Sequence, residues 1–168
     1  LMMPDVETIE KHCFVSDTER DLLLSSARPI ILLKRKPESN IAKEVAPQQD
    51  WLGVMLPYTP LHYLILDRRP LTTDRTVHRP PSTVLVMTSG NLSEEPIATD
   101  NKEARQRLAS LADAFLMHNR DIHIRCDDSV VRVFDDRPLT IDREAPSTVH
   151  RPPSIYPVRR SPGYSPFP

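Results

Sequence analysis

The apolar positions of this chain fall into short clusters set apart by polar and proline-rich stretches, so the elements they predict are short as well. Asp5 to His12 has the spacing of a brief helix. Ser16-Asp17-Thr18-Glu19 is a capping-box pattern: the serine oxygen accepts from the glutamate amide, while the glutamate carboxylate reaches back to the serine amide. The DLLLSS run behind it supplies an apolar face, and Arg28-Pro29 stops the helix. Pro29 to Leu33 reads as a buried strand, closed by the basic trio Lys34-Arg35-Lys36. The polar segment from Pro37 to Gln49 reads as loop, Leu52 to Leu56 as a second strand, and Pro57-Tyr58-Thr59-Pro60 as a turn. Leu61, Leu64 and Ile65 then return to helical spacing.

Val84 to Met87 predicts a third short buried strand, and Asp100 with Glu103 opens a further helix over NKEARQRLASLA. Ala114 to Met117 and Ser129 to Phe134 predict the last two strands. Strands alternating with helices place the chain in the α/β (α+β) class rather than among all-β folds. Seven of the 18 prolines lie between Pro146 and Pro168, which predicts an extended, thinly packed end.

The pattern is interrupted by a repeat. RPLTTDR at 69–75 recurs as RPLTIDR at 137–143, and TVHRPPS follows each, at 76–82 and 148–154. Neither copy has strand or helix periodicity, so both read as one inserted element used twice, at 72–83 and 140–155, exposed and without regular structure. His78 and His150 are then loop residues rather than a functional pair.

Composition narrows the field. With 39% hydrophobic and 27% charged residues and a net charge of -1, the 168-residue chain suits one soluble domain and gives no sign of a dominant polyanion-binding surface. Cys13 and Cys126 lack any metal-ligand spacing and read as reduced thiols. No stretch reaches the roughly 20 apolar residues of a membrane span, and the first residues do not resemble a secretory leader. The expected location is the cytoplasm, with no membrane partner.

Candidate chemistry begins at Thr88-Ser89-Gly90-Asn91, which follows the VLVM strand. Ligands of open α/β sheets gather beyond the carboxyl ends of strands. Two hydroxyls and an amide there suit phosphate or carboxylate oxygens, and Gly90 can take a positive φ and admit a ligand against the backbone. The same residues also make an ordinary turn. No phosphate-cradling GxxxxGK occurs, so any nucleotide is held another way. In RCDDSVVR (125–132), Asp127 and Asp128 either hold Mg²⁺ through water or pair with Arg125 and Arg132. Arg159-Arg160 offers forks suited to phosphate.

Together LGVMLPYTPLHYLIL (52–66), VMTSGNLSEEPIATDN (86–101), IRCDDSVVR (124–132) and RRSPGY (159–164) resemble, in that order, the YrdC-like domain of the HypF carbamoyltransferases of nickel–iron hydrogenase maturation. The resemblance implies a YrdC-like twisted mixed sheet with flanking helices around a nucleotide site. It implies ATP as substrate with Mg²⁺, and carbamate derived from carbamoyl phosphate. It further implies that carbamoyl-adenylate forms and that its carbamoyl group then passes, by way of a separate domain, to the C-terminal cysteine of a HypE-type partner. Carried over by position, Ser89 and Asn91 match the SxN motif at the acyl-adenylate, with Thr88 beside them. Thr59, Ser129, Arg132 and Arg160 fall at nucleotide contacts. No residue is assigned to a resident metal. Met55 stands where threonylcarbamoyl-adenylate synthases of tRNA modification, an alternative reading, carry an arginine for the amino-acid carboxylate. A non-catalytic module binding double-stranded RNA is the other alternative.

The sequence also departs from that family. The glycine-rich first strand and the Lys/Arg grip on the triphosphate have no counterpart before Leu1, and Pro162 replaces an arginine of RRSRGY. The expectation is therefore a partial, N-terminally truncated YrdC-like domain over 1–168, inactive as an isolated fragment.

Overall fold

A computed structural model describes residues 1–66, 84–123, 125–134 and 154–160. These fall into two compact units, one within Leu1–Val86 and Asp128–Pro168, the other within Met87–Asp127.

In the first unit, helix α1 (Val6–His12) starts at Asp5, whose carboxylate accepts from the Thr8 amide at 2.7 Å. Helix α2 (Asp17–Leu24) starts with the expected capping box, Ser16 accepting from the Glu19 amide and Glu19 accepting from the Ser16 amide at 2.8 Å. It ends sooner than Arg28: the Ser25 hydroxyl turns back onto the Leu22 carbonyl at 2.7 Å, and Arg28 donates to the Leu23 carbonyl at 3.0 Å. Local side-chain bonds satisfy the last carbonyls before the proline is reached.

Four strands follow: β1 (Ile30–Lys34), β2 (Trp51–Val54), β3 (Val130–Phe134) and β4 (Ser154–Arg159). Their order is β2-β1-β3-β4; β1 is antiparallel to β2 and parallel to β3, and β3 is antiparallel to β4. The sheet is therefore mixed. Strand alternation sends Ile31, Leu33, Leu52, Val54 and Val131 to one face, where each is at most 1% exposed, and Val6, Ile9, Cys13 and Leu23 close over them. The opposite face is only half covered.

The loop after β1 is pinned from both sides. Arg35 donates to the Ser39 carbonyl at 3.3 Å and to the Ile41 carbonyl, while Lys36 donates to the Glu10 carbonyl at 2.6 Å. A 3₁₀ turn, Lys43–Val45, interrupts the expected loop. Two of the three basic side chains thus have structural duties.

Helix α3 (Pro60–Leu66) forms where helical spacing predicts it. Its apolar side, however, is not core: Leu61, Leu64 and Ile65 are exposed, and only Leu66 is buried.

Three expectations fail. Val84–Met87 is not a strand: only Leu85 bridges, exchanging backbone bonds with Met2 at 2.8 and 3.0 Å, while Val86 is 73% exposed. Ala114–Met117 is exposed coil; an apolar run without a pairing partner does not make a strand. Conversely, Ser154 and Ile155 of the second insert lie in β4, which carries Pro157. Proline is tolerated there because β4 is an edge strand, where one missing amide costs no ladder bond. The segments 72–83 and 140–153, with His78 and His150, lie outside the described residues.

The second unit holds helix α4 (Asn101–Arg107), with Asp100 accepting from the Lys102 and Glu103 amides at 2.8 and 2.9 Å. Among the described residues no helix is long and apolar enough to cross a membrane.

Candidate nucleotide site

Sheet register gathers three expected contacts of the first unit at one end. Ser129 precedes Val130, whose partner on β4 is Arg159, so Arg160 follows at that end. β2 runs out at Val54 opposite Ile31, and the turn carrying Thr59 comes next. A hydrogen bond ties this end together: the Tyr58 hydroxyl donates to Asp128 Oδ1 at 3.0 Å. Ser129 is 6% exposed and its carbonyl accepts from the Ile30 amide at 2.8 Å. Thr59 Oγ1 accepts from the His62 amide at 3.2 Å, capping α3 and leaving the hydroxyl hydrogen to donate elsewhere. Arg160 is exposed and has no partner among the described residues.

Tyr58 and His62 were not expected at this end, although an aromatic and a histidine four residues apart at a helix start were a readable signal. Their rings meet edge to face with centres 4.7 Å apart. Burial pushes the Tyr58 hydroxyl up to about 12, and the Asp128 carboxylate beside it acts in the same direction. Burial lowers His62, with Asp128 opposing, so its imidazole favours the neutral form. Its Nδ1 is buried without a partner among the described residues.

Arg132 stands apart. Alternation turns it to the sheet face away from Val131, toward the other end, where it packs on Trp51 and Phe134. Within their own units the two arginines turn to other partners: Arg125 donates to the Ile97 carbonyl at 2.8 Å, and Arg132 packs on the Trp51 and Phe134 rings. Asp128 accepts from the Tyr58 hydroxyl. Among the described residues no group of three His, Cys, Asp or Glu side chains could hold a metal.

In the second unit, Thr88, Ser89 and Gly90 are exposed and Asn91 is half-buried. Asn91 organises the loop: its Nδ2 donates to the Leu92 and Glu95 carbonyls at 2.9 and 3.0 Å, and its amide donates to the Ser89 carbonyl at 3.0 Å. Oδ1 is buried and has no partner among the described residues. Gly90 does not take the expected positive φ, and an added Cβ would meet only Leu108 Cδ1, at 3.6 Å. The strained position is Glu94, at φ 67. Arg107 closes the loop onto α4, donating to Glu95 at 2.7 Å, Glu103 at 2.5 Å and the Pro96 carbonyl at 2.8 Å. Those bonds raise Arg107 above its ordinary range and, with Arg107 as the leading cause, lower Glu103.

Met55, read as a substrate discriminator, is 3% exposed and packs with Met2 and Leu66. It is a core residue in this arrangement.

The Sua5_yciO_yrdC family, described as telomere recombination, matches residues 1–145. Carbamoyltransferase HypF2 of Cupriavidus necator is 42% identical over 169 residues, which is 99% of this chain and 19% of that protein. Carbamoyltransferase HypF of Rhodobacter capsulatus is 42% identical over 157 residues, 92% of this chain and 19% of that one. Among solved structures, full-length HypF in a phosphate- and nucleotide-bound form shares 51% identity at a TM-score of 0.66, covering 78% of this chain and 19% of that one. T. kodakarensis HypF shares 39% at 0.68, covering 78% and 16%. The chain spans about a fifth of the length of these relatives. With its mixed sheet and flanking helices, this chain belongs to the Sua5/YciO/YrdC family and is similar, within it, to the YrdC-like part of HypF carbamoyltransferases.

Proposed function

We propose that this chain forms carbamoyl-adenylate as part of a HypF-type carbamoyltransferase. The observation that carries the reading is 42% identity with a HypF2 carbamoyltransferase across 99% of the chain. In this reading, water cleaves carbamoyl phosphate to carbamate and phosphate. A carbamate oxygen then attacks the α-phosphorus of ATP; the new P–O bond forms as the bond to the bridging oxygen breaks, and pyrophosphate leaves. The cysteine thiolate of a HypE-type acceptor attacks the carbamoyl carbon, and AMP departs. Such chemistry asks for position and charge neutralisation rather than covalent help.

Thr59, Ser129 and Arg160 then serve the nucleotide from one end of the sheet of the first unit. Asn91 Nδ2 fixes the SGN loop, so that Ser89 and the free Oδ1 of Asn91 address the acyl group. Mg²⁺ arrives with the ATP phosphates, as is usual for nucleotide substrates. Because the relatives are some five times longer, activity belongs to the longer assembly rather than to this chain alone.

The test is exchange of labelled pyrophosphate into ATP. We expect none from the chain alone. Carbamoyl phosphate-dependent exchange should appear when the remainder of a relative's polypeptide is supplied, and fall roughly tenfold or more with Asn91→Ala or Ser89→Ala. Exchange driven by L-threonine and bicarbonate instead would replace this reading with a threonylcarbamoyl-adenylate synthase.

A further inference from the structure

Arg132 raises a question that the Thr59 end of the sheet does not answer. Its guanidinium carbon lies 4.0 Å from the Trp51 ring centre and 4.9 Å from that of Phe134. Tyr156, its partner across the β3–β4 pair, is 61% exposed and meets Phe134 edge-on, with centres 6.2 Å apart. Lys34 is the register partner of Trp51 on β1, and it too is exposed. The register places this group toward the Lys34–Phe134 end, away from Ser129 and Arg160.

The arginine is held but not satisfied. Nε is buried without a partner, and the guanidinium makes no hydrogen bond or ion pair with any described residue. Arg107, by contrast, uses its fork fully on two carboxylates and a carbonyl. A buried polar nitrogen normally has an acceptor. The four strands contain no Asp or Glu to provide one. A guanidinium already fixed against rings loses little freedom when an oxyanion docks on it. An exposed ring beside it can stack on a base.

We propose that Arg132, Trp51 and Tyr156, with Lys34 at the rim, form a second anion site, for the phosphate and base of a nucleotide unit. The unit is either a free nucleotide or one link of a single strand. The Arg132 fork takes the oxyanion and the Tyr156 ring takes the base. This site does not depend on the carbamoyl chemistry proposed above.

Trp51 is the chain's only tryptophan, so its emission reports the site directly. The chain is titrated at low salt with inorganic phosphate, AMP and a single-stranded oligouridylate. AMP should change the emission saturably and phosphate more weakly, since phosphate has no ring. Arg132→Gln should weaken AMP about tenfold, and Arg132→Lys should weaken it less, keeping a charge without a fork. An oligouridylate that binds tighter than AMP with a steep salt dependence identifies a strand as the source, and equal affinity identifies the free nucleotide. Circular dichroism checks each variant. Should Arg132→Gln unfold, Tyr156→Ala, at an exposed edge position, must weaken AMP and spare phosphate. No saturable change with any probe, or equal affinity in the folded Arg132→Gln protein, overturns the site. Asn91→Ala should leave these titrations intact, so loss of pyrophosphate exchange with an unchanged Trp51 response counts against the carbamoyl reading alone.

Discussion

Individual residues set how the protein responds to pH and to thiol reagents. His12 is 9% exposed and its Nδ1 lies 3.2 Å from Ser39 Oγ. Burial lowers it below the usual imidazole value, and the positive charges of Lys11 and Arg35 add to this. The neutral ring is therefore favoured in the folded state, and the unfolded chain binds more protons. Its stabilising contribution is complete above about pH 6.5 and is lost as pH falls through the lower folded value. The urea midpoint should drop between pH 7 and pH 5, and His12→Gln should flatten that slope; an unchanged slope would show that His12 does not titrate with unfolding. The thiols differ for the same physical reason. Cys13 is 0% exposed and burial pushes it up to about 11, whereas Cys126 is exposed. A thiolate-selective reagent should label Cys126 rapidly in the native protein and Cys13 only on unfolding.

At the scale of elements, what could be read from the sequence was what local chemistry enforces. Ser16 and Glu19 form a capping box because both partners lie within one turn, and Asp100 caps α4 by accepting from the Lys102 and Glu103 amides. Ser16→Ala should cost about 1 kcal/mol in chemical denaturation. β1 and β2 were legible because Ile31, Leu33, Leu52 and Val54 alternate into a buried layer. Leu33→Ala should cost roughly 2–5 kcal/mol, the range for emptying a core position. What failed depended on distant partners. VLVM has the residues of a strand, but only Leu85 finds a neighbour, on Met2. Ser154 and Ile155 were read as the end of an irregular insert, yet β3 offers SIYPVR an edge. The candidate site divides similarly. Thr59, Ser129 and Arg160 could be nominated by resemblance, but only strand register brings them to one end. Tyr58 and His62 escaped notice because their value lies in contacts with each other and with a carboxylate far along the chain. Gly90 was over-read: its backbone needs no glycine.

For the whole molecule, the account joins a family membership that covers residues 1–145 to the carbamoyl-adenylate chemistry proposed above, with the chain spanning about a fifth of the length of its relatives. The most direct measurement is an amide-resolved nuclear magnetic resonance titration of the chain with ATP and Mg²⁺. Shifts at Thr59, Ser129 and Arg160, together with Ser89 to Asn91, are the result this account predicts. A spectrum that stays still at those positions, or moves only around Trp51 and Arg132, would contradict it.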